Sequence, residues 1–338
     1  MGAVRTVSER VRVPETLFEA AGLASPLSRS ALLPVRRSGS GTDLRGAPVS
    51  FGVLGSSSSG NCSVLKVGVG KNYRLVLIDA GLSPLRTRRL LGELGLDAGR
   101  IAAVLLTHLH RDHYKETWGN KLPSDAWFWV HRKHRSAAKK AGVLYRRTEV
   151  FDDEPFDVLG LRVESRLAPH DGMGSAVFRI DVMSGTGSGE GVGVAGAERV
   201  CSLGYATDLG CVPSEAEELV RGVEVLAIES NYCDRMQLES GRHAFLIDRI
   251  MQDGGHLSNE QCAEACARLE PRRAVVLLHL SRQCNEPKRA LAYHAGAGYE
   301  AWAAPEVGPM GLMALDAEGG SSVTSSGGAM AAGRAASA

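Results

Sequence analysis

The sequence predicts an α/β protein, and three observations carry that prediction. Apolar runs of strand length recur, among them Tyr73 to Ile78, Ile101 to Leu106, Val223 to Ile228 and Ala274 to Leu278. Helix starts fall between them: Ser83 followed by Pro84 supplies an N-cap and a proline at the first helical position. Histidines and acids then close the strands, the usual place for chemistry on a rigid α/β frame.

Taken in order, the chain begins with Met1 to Pro48, which mixes Arg, Ser and Pro with little periodicity, and it ends with Gly319 to Ala338, mainly Gly, Ser and Ala. Neither composition can bury enough apolar surface to order itself. The expected division is a disordered extension over residues 1–48, one folded domain of two related halves over 49–316, and a disordered tail over 317–338. Neither tail has the apolar run of a signal peptide or a membrane helix. Glu9, Glu15 and Glu19 weaken a reading of the extension as an organelle transit peptide, so a cytoplasmic protein is expected. Within the domain, Gly95 should end the helix begun at Ser83, and Trp127 to Val130 should form a strand. Leu159 to Leu167 alternates as a strand does, and Val200 to Leu203 is a further apolar run. Ser184 to Gly196 reads as a flexible hairpin loop. Pro213 and Ser214 start another helix, and Ser258 with Gln261 fits a capping box at the start of one that carries Cys262 and Cys266 on one buried face.

Composition limits the partners. A formal charge of +1 over 338 residues exerts no global pull on nucleic acid, so any grip on a polyanion has to be local. The one candidate is His131 to Arg147, where Arg132, Lys133, Arg135, Lys139, Lys140, Arg146 and Arg147 occur without an intervening acid. The seven cysteines are scattered, form no paired zinc motif and suit a reducing compartment.

The most informative segment is Thr107-His108-Leu109-His110-Arg111-Asp112-His113, directly after the strand Ile101 to Leu106. Alternation along extended backbone sends His108 and His110 to one side, while Asp112 and His113 lie where the chain turns. Imidazole and carboxylate bind zinc-like cations at about 2.0 to 2.2 Å, and this geometry suits two metal ions.

A His-x-His-x-Asp-His run after an apolar strand resembles the metallo-β-lactamase superfamily, which implies an αββα four-layer sandwich. Within it, Gly55 to Asn61, Ala206 to Gly210, Glu229-Ser230-Asn231, Gly255 to Glu260 and His279-Leu280-Ser281 look like the YycJ (WalJ) type, over about Phe51 to Leu315. That resemblance implies a phosphodiesterase associated with exonucleolytic processing of DNA. The chain departs from it at Tyr232-Cys233, where relatives often carry His-Asp, and at the glycine-rich insertion around Ser184 to Gly196.

The resemblance also implies partners for the cluster. His170, presented by Pro169 after a strand, should join His108 and His110 at the first metal; His279 should join Asp112 and His113 at the second; Asp208 is the candidate bridging carboxylate. Asp79 is expected to support a ligand imidazole from behind. Glu229 and His256 look like the Glu and His dyad of RNase Z-type phosphodiesterases, which protonates a leaving alkoxide. Water between two cations is expected to ionise and attack phosphorus, with Asp112, Glu229 and His256 as the catalytic side chains. Zinc is the first expectation for both ions, with manganese or iron as alternatives. DNA is the expected substrate ahead of RNA. The rival functions are an RNase Z-like or cyclic-phosphate phosphodiesterase, a thioesterase or lactamase, and a metal-bound regulatory module without turnover.

Overall fold

The computed structural model describes residues 36–37, 44–145, 147–185, 198–306 and 308–316. Most of the expected N-terminal extension, the whole C-terminal tail, Arg146 and the greater part of the Ser184 to Gly196 loop lie outside the described residues. Two sheets form the frame. One has the order β1 (Arg36–Arg37), β8 (Phe156–Val158), β9 (Leu161–Ala168), β10 (Ser175–Met183), β11 (Arg199–Ala206), β12 (Val225–Glu229), β13 (Ala274–Leu278), β14 (Glu300–Ala303). The other runs β15 (Met313–Leu315), β2 (Val49–Gly55), β3 (Cys62–Val69), β4 (Asn72–Ile78), β5 (Ile101–Leu106), β6 (Trp127–His131), β7 (Thr148–Phe151). Strands β4 to β7 are parallel, as are β11 to β14. Their apolar runs are continuous because both faces are covered.

Each strand divides its side chains between two cores. From β4, Val76 and Ile78 enter the core between the sheets, where Phe51 and Leu105 meet Phe178, Tyr205, Ala227 and Val276 of the opposite sheet. Leu75 and Leu77 turn the other way, towards Leu90 and Leu91 of α1 (Pro84–Glu93) and Ala138 of α2 (Arg135–Lys140). On the far side, Leu226, Ile228, Val275 and Leu277 pack on Leu219 of α3 (Ser214–Val220). Two short helices, α4 (Asp234–Leu238) and α5 (Ala244–Met251), add nothing to these cores. The same outer core then takes in Cys262 and Cys266 of α6 (Asn259–Leu269) and Leu291 of α7 (Pro287–Ala292). The layers are therefore helix, sheet, sheet, helix, as expected. Among the described residues no helix is long and apolar enough to cross a membrane.

Local signals account for the helix ends. Ser83 Oγ accepts from Arg86 N, Pro84 opens α1, and Gly95 follows its C-cap Leu94 with φ +71°. In α6, Ser258 and Gln261 form the reciprocal capping box. One strand begins later than its pattern suggests: Leu159 and Gly160, with φ +58° and +88°, make the turn between β8 and β9, so β9 starts at Leu161. Leu159 keeps the apolar rhythm because its side chain is buried even in the turn. β11 continues past Leu203 to Ala206. β10 pairs with β11 antiparallel.

Three segments are stitched together at one sheet edge. Asn61 N donates to Asp112 O (2.7 Å), Gly81 N to Asn61 O (2.9 Å) and Ala80 N to His113 O (2.8 Å). A Cβ on Gly81 would lie 1.7 Å from Asp112 O, so only glycine fits between these backbones. Gly81→Ala should destabilise the metal-free protein by about 1–3 kcal/mol or more, read from the midpoint of denaturant unfolding; an unchanged midpoint would mean the stitching is not as tight as described.

Candidate metal centre

Every sequence-predicted metal residue reaches the same edge, where the carboxyl ends of β4, β5, β9, β11, β12 and β13 point. Brought together as potential ligand sets are His108, His110 and His170, and beside them Asp112, His113, Asp208 and His279. Asp208 lies between the two, with Oδ2 at 2.7 Å from His113 Nε2 and Oδ1 at 3.7 Å from His170 Nε2. A third grouping, Asp208, Glu229, His256 and His279, overlaps the second. It is held by hydrogen bonds: Glu229 Oε1 accepts from His256 Nδ1 (2.7 Å) and His279 Nδ1 (2.8 Å), while Oε2 accepts from Leu209 N (2.7 Å).

Four of the imidazoles share one orientation, set by what their outer nitrogens meet. His113 Nδ1 donates to Asp79 Oδ2 (2.7 Å), His279 Nδ1 to Glu229, and His170 Nδ1 to Gly255 O (3.2 Å). His108 Nδ1 lies 3.1 Å from Thr107 Oγ1, which itself donates to the Asp79 carboxylate. In each of these four rings Nδ1 faces outward and Nε2 faces the common centre, where a lone pair becomes available to a cation once any Nε2 proton is displaced. His108 Nε2 is buried and has no hydrogen-bond partner among the described residues, although an orphaned polar atom in that position costs free energy. A cation would satisfy it, and the mixed nitrogen and oxygen set fits one. His110 is reversed: Nε2 is 3.2 Å from Asp171 Oδ2, and Nδ1 turns towards His170 at 3.4 Å.

Electrostatics reflect the crowding. Burial alone would raise the Asp208 carboxyl, yet His113 and His279 hold it well below its ordinary range. Burial would lower His113 and His279, but Asp208 and the neighbouring acids override it, lifting the first well above its usual value and the second to about 10. His108 moves the opposite way, pushed down by burial and then by the charge of His113. Without a cation, protons balance the buried carboxylates; metal entry would displace them.

A model of the Beta-lactamase superfamily domain matches residues 74–280. The chain belongs to the metallo-β-lactamase superfamily. Among curated proteins it is 28% identical over 250 residues to Exodeoxyribonuclease WalJ of Streptococcus pneumoniae, covering 70% of this chain and 82% of the relative. It is 27% identical over 241 residues to Exodeoxyribonuclease YycJ of Bacillus anthracis, covering 70% and 83%. Among solved structures, Zn(2+)-bound PqqB of Methylobacterium extorquens aligns with a TM-score of 0.55 at 16% identity, over 77% of this chain and 99% of that one. The superfamily fold is thus shared at low identity.

Several site residues were not anticipated. Thr107 couples Asp79 to His108, Asn231 Nδ2 donates to His279 O (2.8 Å), and Ser56 Oγ accepts from His279 N (2.7 Å). The Gly55 to Asn61 and Glu229-Ser230-Asn231 motifs pointed to these last two without revealing what they touch. Asp171, adjacent to His170, could have been suspected from its position alone. Tyr232 is buried, Cys233 caps α4, and neither lines the cavity over the donor sets. The basic run is split into a turn at Arg132–His134 and helix α2. Arg132 pairs with Asp152, and Arg147 lies over the Trp127 ring at 5.7 Å. His134 Nε2 donates to Gly174 O (2.9 Å), which ties this run to the loop after His170.

Asp79→Ala removes the acceptor that serves both His113 and Thr107. Metal affinity, measured by competition with a chelator, should fall about 10- to 100-fold; unchanged affinity would remove Asp79 from the support of the centre.

Proposed function

We propose that the chain is a metal-dependent phosphodiester hydrolase that acts on nucleic acid, on DNA ahead of RNA, from a strand end. The observation that carries this reading is the position of His256. Its Nδ1 is bound to buried Glu229, and it lines the same cavity of about 400 Å³ as His110, Asp112, His170, Asp208 and His279. Burial would lower this imidazole, but Glu229 raises it, which favours the protonated form a general acid needs. Phosphodiester cleavage expels a strongly basic oxygen, for which such a donor is suited. A thioesterase or lactamase has less need of it. The names of the two curated relatives support the nuclease reading.

His108, His110 and His170 would hold one cation and Asp112, His113 and His279 the other, with Asp208 between them. Zinc suits this imidazole-rich set, and manganese or iron could take its place. When bound, the two ions supply Lewis acidity to a phosphoryl oxygen and to the attacking water. The protein orients each imidazole from behind, through Asp79, Thr107, Glu229 and the Gly255 carbonyl, and delivers a proton from His256 to the leaving oxygen. Free thiols at all seven cysteines fit a reducing compartment such as the cytoplasm.

Three variants separate these roles. Asp208→Ala should lose bound metal and nearly all turnover; His256→Ala should keep metal while its rate falls about 10²- to 10⁴-fold. Glu229→Ala should lose on both counts, since one carboxylate serves His256 and His279. Metal analysis with hydrolysis of end-labelled linear DNA reads all three, and loss of metal in His256→Ala would overturn its assignment. Closed circular DNA should resist cleavage.

Lys133, Arg135, Lys139 and Lys140 are exposed and are the phosphate contacts this reading proposes, with Arg132 committed to Asp152. Activity on long DNA should fall steeply with salt, with a slope of about −0.7 per phosphate contact on single strands, while hydrolysis of a small phosphodiester changes little. Equal salt sensitivity of the two substrates would remove this patch from the mechanism.

A further inference from the structure

One wall of the cavity differs in chemistry from the rest of the site. It is built by α5, an eight-residue helix with no buried residue, in which Phe245 and Leu246 are 79% and 40% exposed. Leu246, Arg249 and Ile250 share a face at i, i+3 and i+4 and line the cavity that Ser58, Asp112 and His256 also line. Arg249 Nη2 donates to both carboxylate oxygens of Asp171, at 3.1 and 3.3 Å, while its Nε and Nη1 make no hydrogen bond among the described residues. The guanidinium is thus anchored along one edge and offers the other. Asp171 also meets His110, so the cation is fixed relative to a proposed metal ligand.

An uncovered apolar face beside a half-used cation, opening on a centre whose cations would draw anions when bound, complements a molecule with a flat apolar surface joined to a phosphate. A nucleotide is such a molecule. We propose that Leu246 and Ile250 seat the base of the terminal nucleotide and that Arg249 binds its phosphate, which makes α5 the specificity-determining wall of the site. This rests on the phosphodiesterase reading. Every base presents an apolar face, so the seat tolerates sequence. A cavity of about 400 Å³ lies near the small end of the range of about 300–1,000 Å³ for ligand sites. It suits a single nucleotide and not a duplex, in keeping with the proposed action at a strand end.

The test is equilibrium binding, by calorimetry on the full chain with and without metal, of thymidine 5′-monophosphate and of 2-deoxyribose 5-phosphate, which lacks the base. The wild type should bind the nucleotide about tenfold or more tightly than the sugar phosphate. Leu246→Ser should abolish that preference, whereas Arg249→Gln should weaken both ligands alike. Equal affinity for both ligands in the wild type, or an undiminished preference in Leu246→Ser, would overturn the proposal. So would a Leu246→Ser variant that turns a dimer into a monomer by light scattering with the preference intact, because α5 would then be an interface between copies. Hydrolysis of end-labelled DNA by the wild type separates the two levels. Cleavage without base preference removes the seat alone, and preference without cleavage of any phosphodiester removes the phosphodiesterase reading and keeps the seat.

Discussion

The metal centre depends on a constraint outside it: each inward-facing imidazole is held by its other nitrogen. Asp79, Thr107, Glu229 and the Gly255 carbonyl take the Nδ1 protons of His113, His108, His279 and His170. An imidazole free to rotate or change tautomer would offer a lone pair only part of the time, and would lose ordering entropy on binding. Each acceptor belongs to the same sheet as the imidazole it holds, so the tautomers are set sheet by sheet, whereas each ligand set draws on both sheets. The fold and the site are therefore one structure; neither sheet alone presents a complete set of ligands.

Backbone geometry contributes to the same end. Asp79, Asp208 and His279 all have positive φ, at 62°, 56° and 54°; Asp79 and His279 directly follow the parallel strands β4 and β13, and Asp208 lies two residues beyond β11. Asp and His tolerate the left-handed region better than most residues, but not without cost. Each such residue turns its side chain off the line of its strand, towards the cleft between the sheets. The parallel frame makes that cost bearable: Asp79 N, Ser230 N and Ala304 N still donate to neighbouring strand carbonyls at 2.9 Å, so the ladders persist beyond the regular strands.

Much of this was legible in the chain, for identifiable reasons. Ile101 to Leu106 and Ala274 to Leu278 read as strands because both faces are buried, and their observed bounds coincide with the apolar runs. Ser83-Pro84 and Ser258 with Gln261 are local devices whose partners lie within one helical turn, so spacing alone reveals them. The turn at Leu159-Gly160 was hidden because a buried leucine in the turn continued the alternation. Contacts across large sequence separations were also hidden. Asp171 is 78 residues from Arg249, and Glu229 is 50 from His279, and no periodicity encodes such meetings. The basic run was visible as charge, but its partial neutralisation by Asp152 was not.

Glu229 joins the settings of two imidazoles. Its carboxylate is fully buried and accepts from three donors, two of them imidazoles meeting at a single oxygen. A glutamine could present oxygen to both imidazoles only by turning its amide group against Leu209 N, a donor facing a donor; the opposite rotamer would turn that amide group on both rings. Only the symmetric acceptor satisfies all three. The carboxylate that raises His256 thus also sets the direction of His279. His256 and His279 cannot be tuned independently, and a change in the charge of Glu229 propagates to both over a single hydrogen bond.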